Sequence, residues 1–451
     1  MSEITCPKCG KRFNPGKHKP SLPEATFSEI ESQVDKIDFA EIVSKAVDAA
    51  GERNWDNIIS QLSPVLRQFI EDLTKIEPVH RRLAFAGPTG VGKTTLYCQI
   101  FKRLESQKDA HGVMDKTREV TVHRIEFGFG SLEILDTPGL NDVHKELTDK
   151  ARRELEKSDM LVYLIPADPG PTRVALEDLK ETVEGAGISC ERVLVVLSKH
   201  DLLTPGDLTK MLDVTRKGVS STLGHSVPVL KSSVRCKNCD CLAQLTKKIY
   251  NLAGEGLKDA LVATVRKQLA SVMIGMCDER SSKSIYKNMA IAAGVGAAPI
   301  PFADMPILCA LQVGMVRSIG RIYGHHISYA RALSYVALAG TALRAGFRQL
   351  AKLVPIAGWV IAASVAASGT YAIGKLAQNY FRGALLQGEH GVLPEKIDKA
   401  ELSRLSDEGR RKWREIRKDI DRKEIEKELE RFVGNLVKCP GCGLVFSPET
   451  V

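Results

Sequence analysis

Gly87-Pro88-Thr89-Gly90-Val91-Gly92-Lys93-Thr94 fits the spacing G-x-x-x-x-G-K-[ST]. Chain reversal around a phosphate leaves no room for a Cβ at Gly87 or Gly92 and turns backbone N–H groups inward. The helix that follows adds the positive end of its dipole. In that frame Lys93 reaches the β- and γ-phosphates, the Thr94 hydroxyl ligates Mg²⁺, and Thr95 sits near the α-phosphate. A second group, Asp136-Thr137-Pro138-Gly139, closes a later apolar run. An acid at a strand tip opposite the phosphate loop holds Mg²⁺ through water. The Gly139 N–H meets the γ-phosphate, so this loop can sense hydrolysis.

Together these motifs resemble the Era-like branch of the translation-factor class of GTPases, over about residues 80–253. The resemblance implies GTP or GDP as ligand and Mg²⁺ as cofactor. It also implies a switch threonine between the first helix and the second strand; Thr117 is the expected residue and Thr121 its rival. Lys93, Thr117 and Gly139 would then carry the catalytic contacts, with Thr94, Thr117 and Asp136 around Mg²⁺. The base-reading motif N/T-K-x-D falls on Ser198-Lys199-His200-Asp201. Asp201 accepts from guanine N1 and N2, and the Lys199 stem covers the base. Ser198 departs from the family's Asn or Thr and loses an amide contact. Ser232 and Ser233 fall where the final guanine-contact loop lies. The residue after D-T-P-G is Leu140, which cannot orient a water as a glutamine would. The expectation is slow intrinsic turnover, raised by a partner or activating protein.

The elements that must hold these residues follow from periodicity. RLAFAG, TVHRIEF, LEILD, MLVYLI, RVLVVLS and VPVLKS are short branched apolar runs, most of them separated by helical stretches. That alternation predicts an α/β P-loop G domain, wound around a mostly parallel sheet, over 80–253. Helical spacing over 21–79 predicts N-terminal helices. Residues 254–390 lose charge and read as an all-α hydrophobic domain. Residues 391–438 read as a charged C-terminal helix with Leu402, Leu405, Trp413 and Ile416 in its packing stripe.

The hydrophobic domain resembles, over 288–381, a small helical domain of uncharacterised role often joined to Era-like GTPases. PIPFADMP and VPIAGWVIAA carry the likeness. The PIPFADMP prolines mark a turn, with Asp304 placed to cap the next helix. The uncharged stretch 353–374 would be about 33 Å long as a helix, enough to cross a bilayer. Its alanines, glycines and Pro355 weaken that reading. A soluble helical core and a membrane-engaging element both stand, as does an oligomerisation surface.

The chain has 451 residues, 43% hydrophobic and 26% charged, which excludes wholesale disorder. The net charge of +9 permits an anionic partner without demanding one. No secretory signal is visible, so the eleven cysteines read as thiols or metal ligands in a cytoplasmic protein, with association at a membrane left open. Residues 1–20 and 439–451 share the pattern C-P-x-C-G-x-x-F-x-P. Each is half of a zinc knuckle, so Cys6, Cys9, Cys439 and Cys442 are expected to share one structural Zn²⁺ in a small zinc-ribbon-like module. An intermolecular site, a redox dithiol and free thiols are the alternatives. Cys236, Cys239 and Cys241 are expected on a surface loop, and Cys98, Cys190, Cys277 and Cys309 in the core.

The expected function is a GTP-binding, slowly GTP-hydrolysing switch controlling a helical domain that engages a membrane or protein partner. The rivals are an ATP-binding module, because of Ser198, and a nucleic-acid or structural adaptor, because Lys8, Lys11, Arg12, Lys17 and Lys19 make the head basic. A nucleic-acid partner is not expected, since no dedicated RNA-binding domain is visible.

Overall fold

The computed structural model describes residues 4–5, 11–13, 77–101, 121–137, 153–233, 235, 240–297, 304–339, 358–388, 393–394, 397–416, 437–438 and 445–446. Most of the expected N-terminal helices, over 21–79, lie outside these residues.

At the head, β1 (Ile4–Thr5) and β2 (Arg12–Phe13) pair antiparallel. The central sheet follows: β3 (Val79–Ala86), β4 (Thr121–Phe127), β5 (Gly130–Asp136), β6 (Met160–Pro166), β7 (Val193–Ser198) and β8 (Val229–Ser232). Its order is β4-β5-β3-β6-β7-β8, and only β4 runs antiparallel to its neighbour. Strands β6 and β7 are buried on both faces, as central parallel strands must be, and therefore read as unbroken apolar runs. Edge strand β4 alternates exposed with partly or fully buried positions, and its sequence mixes His, Arg and Glu with apolar residues.

Helices α1 (Lys93–Ile100), α2 (Arg173–Gly185), α3 (Pro205–Leu223) and α4 (Cys241–Leu252) flank the sheet. The Thr172 hydroxyl caps α2 by accepting from the Ala175 N–H, and Thr204 caps α3 by accepting from Asp207. Helix α5 (Glu255–Thr264) packs on β3, β4 and β5. Then come α6 (Lys267–Ala297), α7 (Asp304–Ile322), α8 (329–339), α9 (Gly358–Gln387) and α10 (Lys399–Ile416). Helix α7 starts at Asp304, where the sequence places a helix start. Leu402, Leu405 and Trp413 of α10 are buried as the stripe predicts.

One apolar core runs without a break from the sheet (Leu83, Phe85, Ile134) through α5 (Leu257, Leu261) into the helical domain (Met273, Val316, Ile373, Phe381). The opposite face of the sheet has its own core around Leu161, Tyr163, Leu179 and Val195. Polar groups are buried inside the helical domain as well. Gln312 on α7 donates to the Thr370 hydroxyl on α9 at 2.9 Å, and Gln378 on α9 donates to the Ser281 hydroxyl on α6 at 2.7 Å. Among the described residues, no helix is long and apolar enough to cross a membrane.

At the tail, β9 (Val437–Lys438) pairs antiparallel with β10 (Val445–Phe446). Head and tail hairpins share one register: Ile4 faces Phe13 and Val437 faces Phe446. Each hairpin brackets one C-P-x-C-G segment. Cys6, Cys9, Cys439 and Cys442 lie outside the described residues, and no metal-binding cluster occurs among those described. One cysteine expectation is corrected. Cys241 is not a surface-loop thiol but is buried at the start of α4, whose apolar face packs inward; its thiol lies 3.8 Å from the Ser233 carbonyl oxygen. Cys98 and Cys277 are core residues as expected, while Cys190 and Cys309 are only partly buried.

Candidate active site

The site lies along the carboxyl ends of the strands, where α/β sheets of this kind bind ligands. Register pairs Phe85 with Asp136, Pro166 with Ser198, and Ser198 with Ser232. The phosphate-loop residues and Asp136 therefore stand at one side of β6, and the base-reading residues at the other.

The loop from Gly87 to Gly92 leaves β3 and enters α1. Gly87 has φ 131°, and a Cβ there would lie 2.3 Å from the Leu164 carbonyl oxygen of β6. Gly92, with φ 101°, occupies the cap position of α1. No side chain caps that helix and its first turn has no acid, so its leading N–H groups are open to an anion. Val91 is buried, while Thr89, Thr94 and Thr95 are exposed. Lys93 is buried, and its ammonium donates to the carbonyls of Gly87 at 2.9 Å and Pro88 at 3.2 Å.

Asp136 is the hub of the phosphate side. Its Oδ2 accepts from the Thr94 hydroxyl at 2.7 Å and from the Tyr97 hydroxyl at 3.1 Å. The Tyr97 oxygen lies 2.9 Å from His123 Nε2 on β4. Since Tyr97 has one proton and gives it to Asp136, His123 is the donor in that second bond. Asp136 Oδ1 is buried and has no hydrogen-bond partner among the described residues. Burial pushes the Asp136 carboxyl up and the Lys93 ammonium down. Each is a counter-charge to the other, and the Thr94 and Tyr97 bonds favour the carboxylate. A buried orphan carboxylate oxygen beside a threonine hydroxyl fits a hydrated Mg²⁺.

On the base side, Lys199 has φ 57°, a left-handed turn that ends β7 and presents Asp201 on the next short helix. The Ser233 hydroxyl donates to Asp201, and this bond holds the Asp201 carboxyl below its usual range. Ser198 is buried, its hydroxyl donating to the Ile165 carbonyl at 3.3 Å, and Ser232 is buried beside it in register. Thr117, Pro138, Gly139 and Leu140 lie outside the described residues. Thr121 faces Asp136 across the β4–β5 ladder. Sequence reasoning missed Tyr97 and His123, because a tyrosine on the inner face of a helix reads as ordinary core.

Residues 82–199 match the family model of the 50S ribosome-binding GTPases, and residues 261–405 match that of a domain of unknown function (DUF697). With the loop, Asp136 and Asp201 in place, the chain carries a P-loop G domain joined to a helical domain. Among curated proteins it is 28% identical to Dynamin-like protein 1 of Campylobacter jejuni over 174 residues, which is 38% of this chain and 23% of that protein. It is 22% identical to the mitochondrial tRNA modification GTPase MSS1 of Saccharomyces cerevisiae, over 57% of this chain and 50% of that one. The chain thus spans half or less of these two relatives. Solved structures similar to it include Era of Aquifex aeolicus, 20% identical with a TM-score of 0.31 over 39% of this chain and 58% of that one. Toc33 of Arabidopsis thaliana is 15% identical with a TM-score of 0.32, over 44% of this chain and 96% of that one.

Proposed function

We propose that the chain is a GTP-operated switch of the Era-like kind, slow in intrinsic turnover, whose nucleotide state is passed to its helical domain. The observation that carries this reading is the joint at the far end of α1. Arg266, just before α6, donates from its guanidinium to the Cys98 carbonyl, and its backbone N–H donates to the Ile100 carbonyl at 2.9 Å. A second contact supports it. Arg321 of α7 lies over the ring of Phe129, at 5.4 Å from its centroid, in the turn between β4 and β5. In chain order that turn lies between the two segments expected to meet the γ-phosphate, at Thr117 and Gly139, and it closes the far end of the β4–β5 ladder from Asp136.

The chain's own groups divide the chemistry. Lys93 and the α1 N–H groups neutralise phosphate charge, Thr94 and Asp136 would hold Mg²⁺, and Asp201 selects the base. Mg²⁺, when bound, offsets the charge that develops on the transferred phosphoryl group. Leu140 has no group to orient the attacking water, which supports slow turnover until a partner supplies one. The Ser233-buttressed Asp201 favours guanine over adenine despite Ser198. Hydrogen exchange of α6 and α9 with GDP and with a non-hydrolysable GTP analogue tests the coupling. Different protection supports it; identical protection overturns it.

The buried polar pairs of the helical domain favour a packed core over a membrane element, and liposome flotation with each nucleotide decides. The shared register of the terminal hairpins supports one Zn²⁺ held by Cys6, Cys9, Cys439 and Cys442. About one zinc per chain by elemental analysis is expected, and none would remove that proposal.

A further inference from the structure

We propose that Tyr97 and His123 are positioning residues for the magnesium site: they fix the Asp136 carboxylate so that only Oδ1 is left to face the metal's water. The inference rests on the nucleotide reading above and deepens it.

The geometry leads there in three steps. First, Thr94 and Tyr97 lie three residues apart on α1, so both side chains project from one helix face. That face covers β4 and β5 where Asp136 ends its strand. Both hydroxyls converge on the same oxygen, Oδ2, at 2.7 and 3.1 Å. A carboxylate held twice at one oxygen has lost its rotation, and its other oxygen, buried and unpartnered among the described residues, points in a set direction.

Second, Tyr97 is itself held. Its ring is buried, with Phe85 at 5.6 Å and His123 at 5.4 Å between ring centroids. The 2.9 Å bond from His123 occupies the phenol oxygen as acceptor. That leaves the single phenol proton for Asp136, so the direction of donation along His123, Tyr97 and Asp136 is fixed. Third, His123 belongs to β4, and Thr121, two residues earlier and so on the same side of the strand, faces Asp136 in register. The chain that leads out of the expected Thr117 segment is thereby tied to the metal acid through one tyrosine. Phenylalanine would keep the ring contacts at this position but would leave Oδ2 with a single donor and the carboxylate free to turn.

Outer-sphere groups of this kind are worth about 10- to 100-fold in metal affinity. The test uses the full-length chain and a fluorescent GDP, with magnesium as the titrant. Nucleotide binding is first measured in chelator, then nucleotide release is followed as Mg²⁺ is added. Tyr97→Phe is expected to raise the half-saturating Mg²⁺ concentration about tenfold while leaving nucleotide affinity in chelator unchanged. His123→Leu is expected to do the same, and His123→Gln, which keeps an N–H donor, to restore most of the effect. A Tyr97→Phe protein with the parent's Mg²⁺ dependence overturns the proposal, as does one that loses affinity equally with and without Mg²⁺. If the parent chain binds no guanine nucleotide even in chelator, the nucleotide reading itself fails, and this proposal with it.

Discussion

Arg266 grips the Cys98 carbonyl through two guanidinium nitrogens, at 2.6 and 3.0 Å. The acceptor lies in the last turn of the helix that begins at the phosphate loop, where carbonyls lack helical partners. The donor immediately precedes α6 of the helical domain.

Arg266→Ala is therefore expected to do two things. It should cost about 1–3 kcal/mol of stability, the usual loss when a bond from a charged group is removed. It should also shrink the difference in hydrogen exchange of α6 between GDP and GTP-analogue states, with nucleotide affinity changed by only a few fold. Chemical denaturation and exchange mass spectrometry read the two effects separately. A large affinity loss with exchange unchanged would place Arg266 in the site rather than the joint.

Asp201 and Ser233 make a second prediction. Asp201→Asn should weaken GTP about 100-fold or more and admit xanthosine triphosphate, because the donors of guanine then meet an amide. The pH dependence follows from the depressed pKa of Asp201. A carboxyl with a lowered folded pKa keeps its charge above the ordinary range and loses it only as pH falls through the lowered value. GTP affinity in the parent should thus be insensitive to Asp201 from neutral pH down to about 5. Ser233→Ala removes the donor, so the acid limb should move upward toward 3.8. Calorimetric titration from neutral pH down through the acid limb checks both.

Gly87 and Gly254 form a matched pair. A Cβ at Gly87 meets the backbone of Leu164 at 2.3 Å, and its φ of 131° is strained for any L side chain. Gly87→Ala should cost roughly 2–4 kcal/mol and abolish nucleotide binding. At Gly254 nothing lies within 4 Å and φ is −67°, so Gly254→Ala should fold and bind normally. Thermal unfolding with and without GDP separates the two.

Asp259 accounts for a fourth prediction. Its buried carboxylate meets Arg280 at 3.0 Å and Arg321 at 3.4 Å, joining α5 to α6 and α7. Asp259→Ala leaves two partly buried guanidinium groups short of a counter-charge, and should cost about 3–5 kcal/mol. Glu255 also meets Arg280, at 2.6 Å, but is mostly exposed. Glu255→Ala should cost less than about 1 kcal/mol. Urea unfolding of both variants measures the contrast.

The phosphate loop, Asp136 and Asp201 were legible in the sequence because each needs a residue type that little else explains at that spacing. Glycines with left-handed backbone and acids at the ends of apolar runs are costly unless they serve a site. The alternation of strands and helices was equally legible, since central parallel strands such as β6 and β7 bury both faces. Tyr97 was not, because its hydroxyl serves Asp136 while its ring fills the core, and spacing reports only the ring. Cys241 was misplaced for a related reason: the residues before it are polar, and the helix start that turns it inward is set by packing on the sheet. The Arg266 joint joins residues far apart in the chain, which no local pattern records.

The side-chain amides of Gln312 and Gln378 act as dowels through the helical domain. Sliding one helix past its neighbour by a turn, about 5.4 Å, would take the Gln312 and Gln378 side-chain N–H groups away from the Thr370 and Ser281 hydroxyls and leave them without those partners in a dry interior. Lengthwise shear of α9 against α6 and α7 carries that cost twice over. A rigid-body tilt of these three helices together leaves both bonds intact.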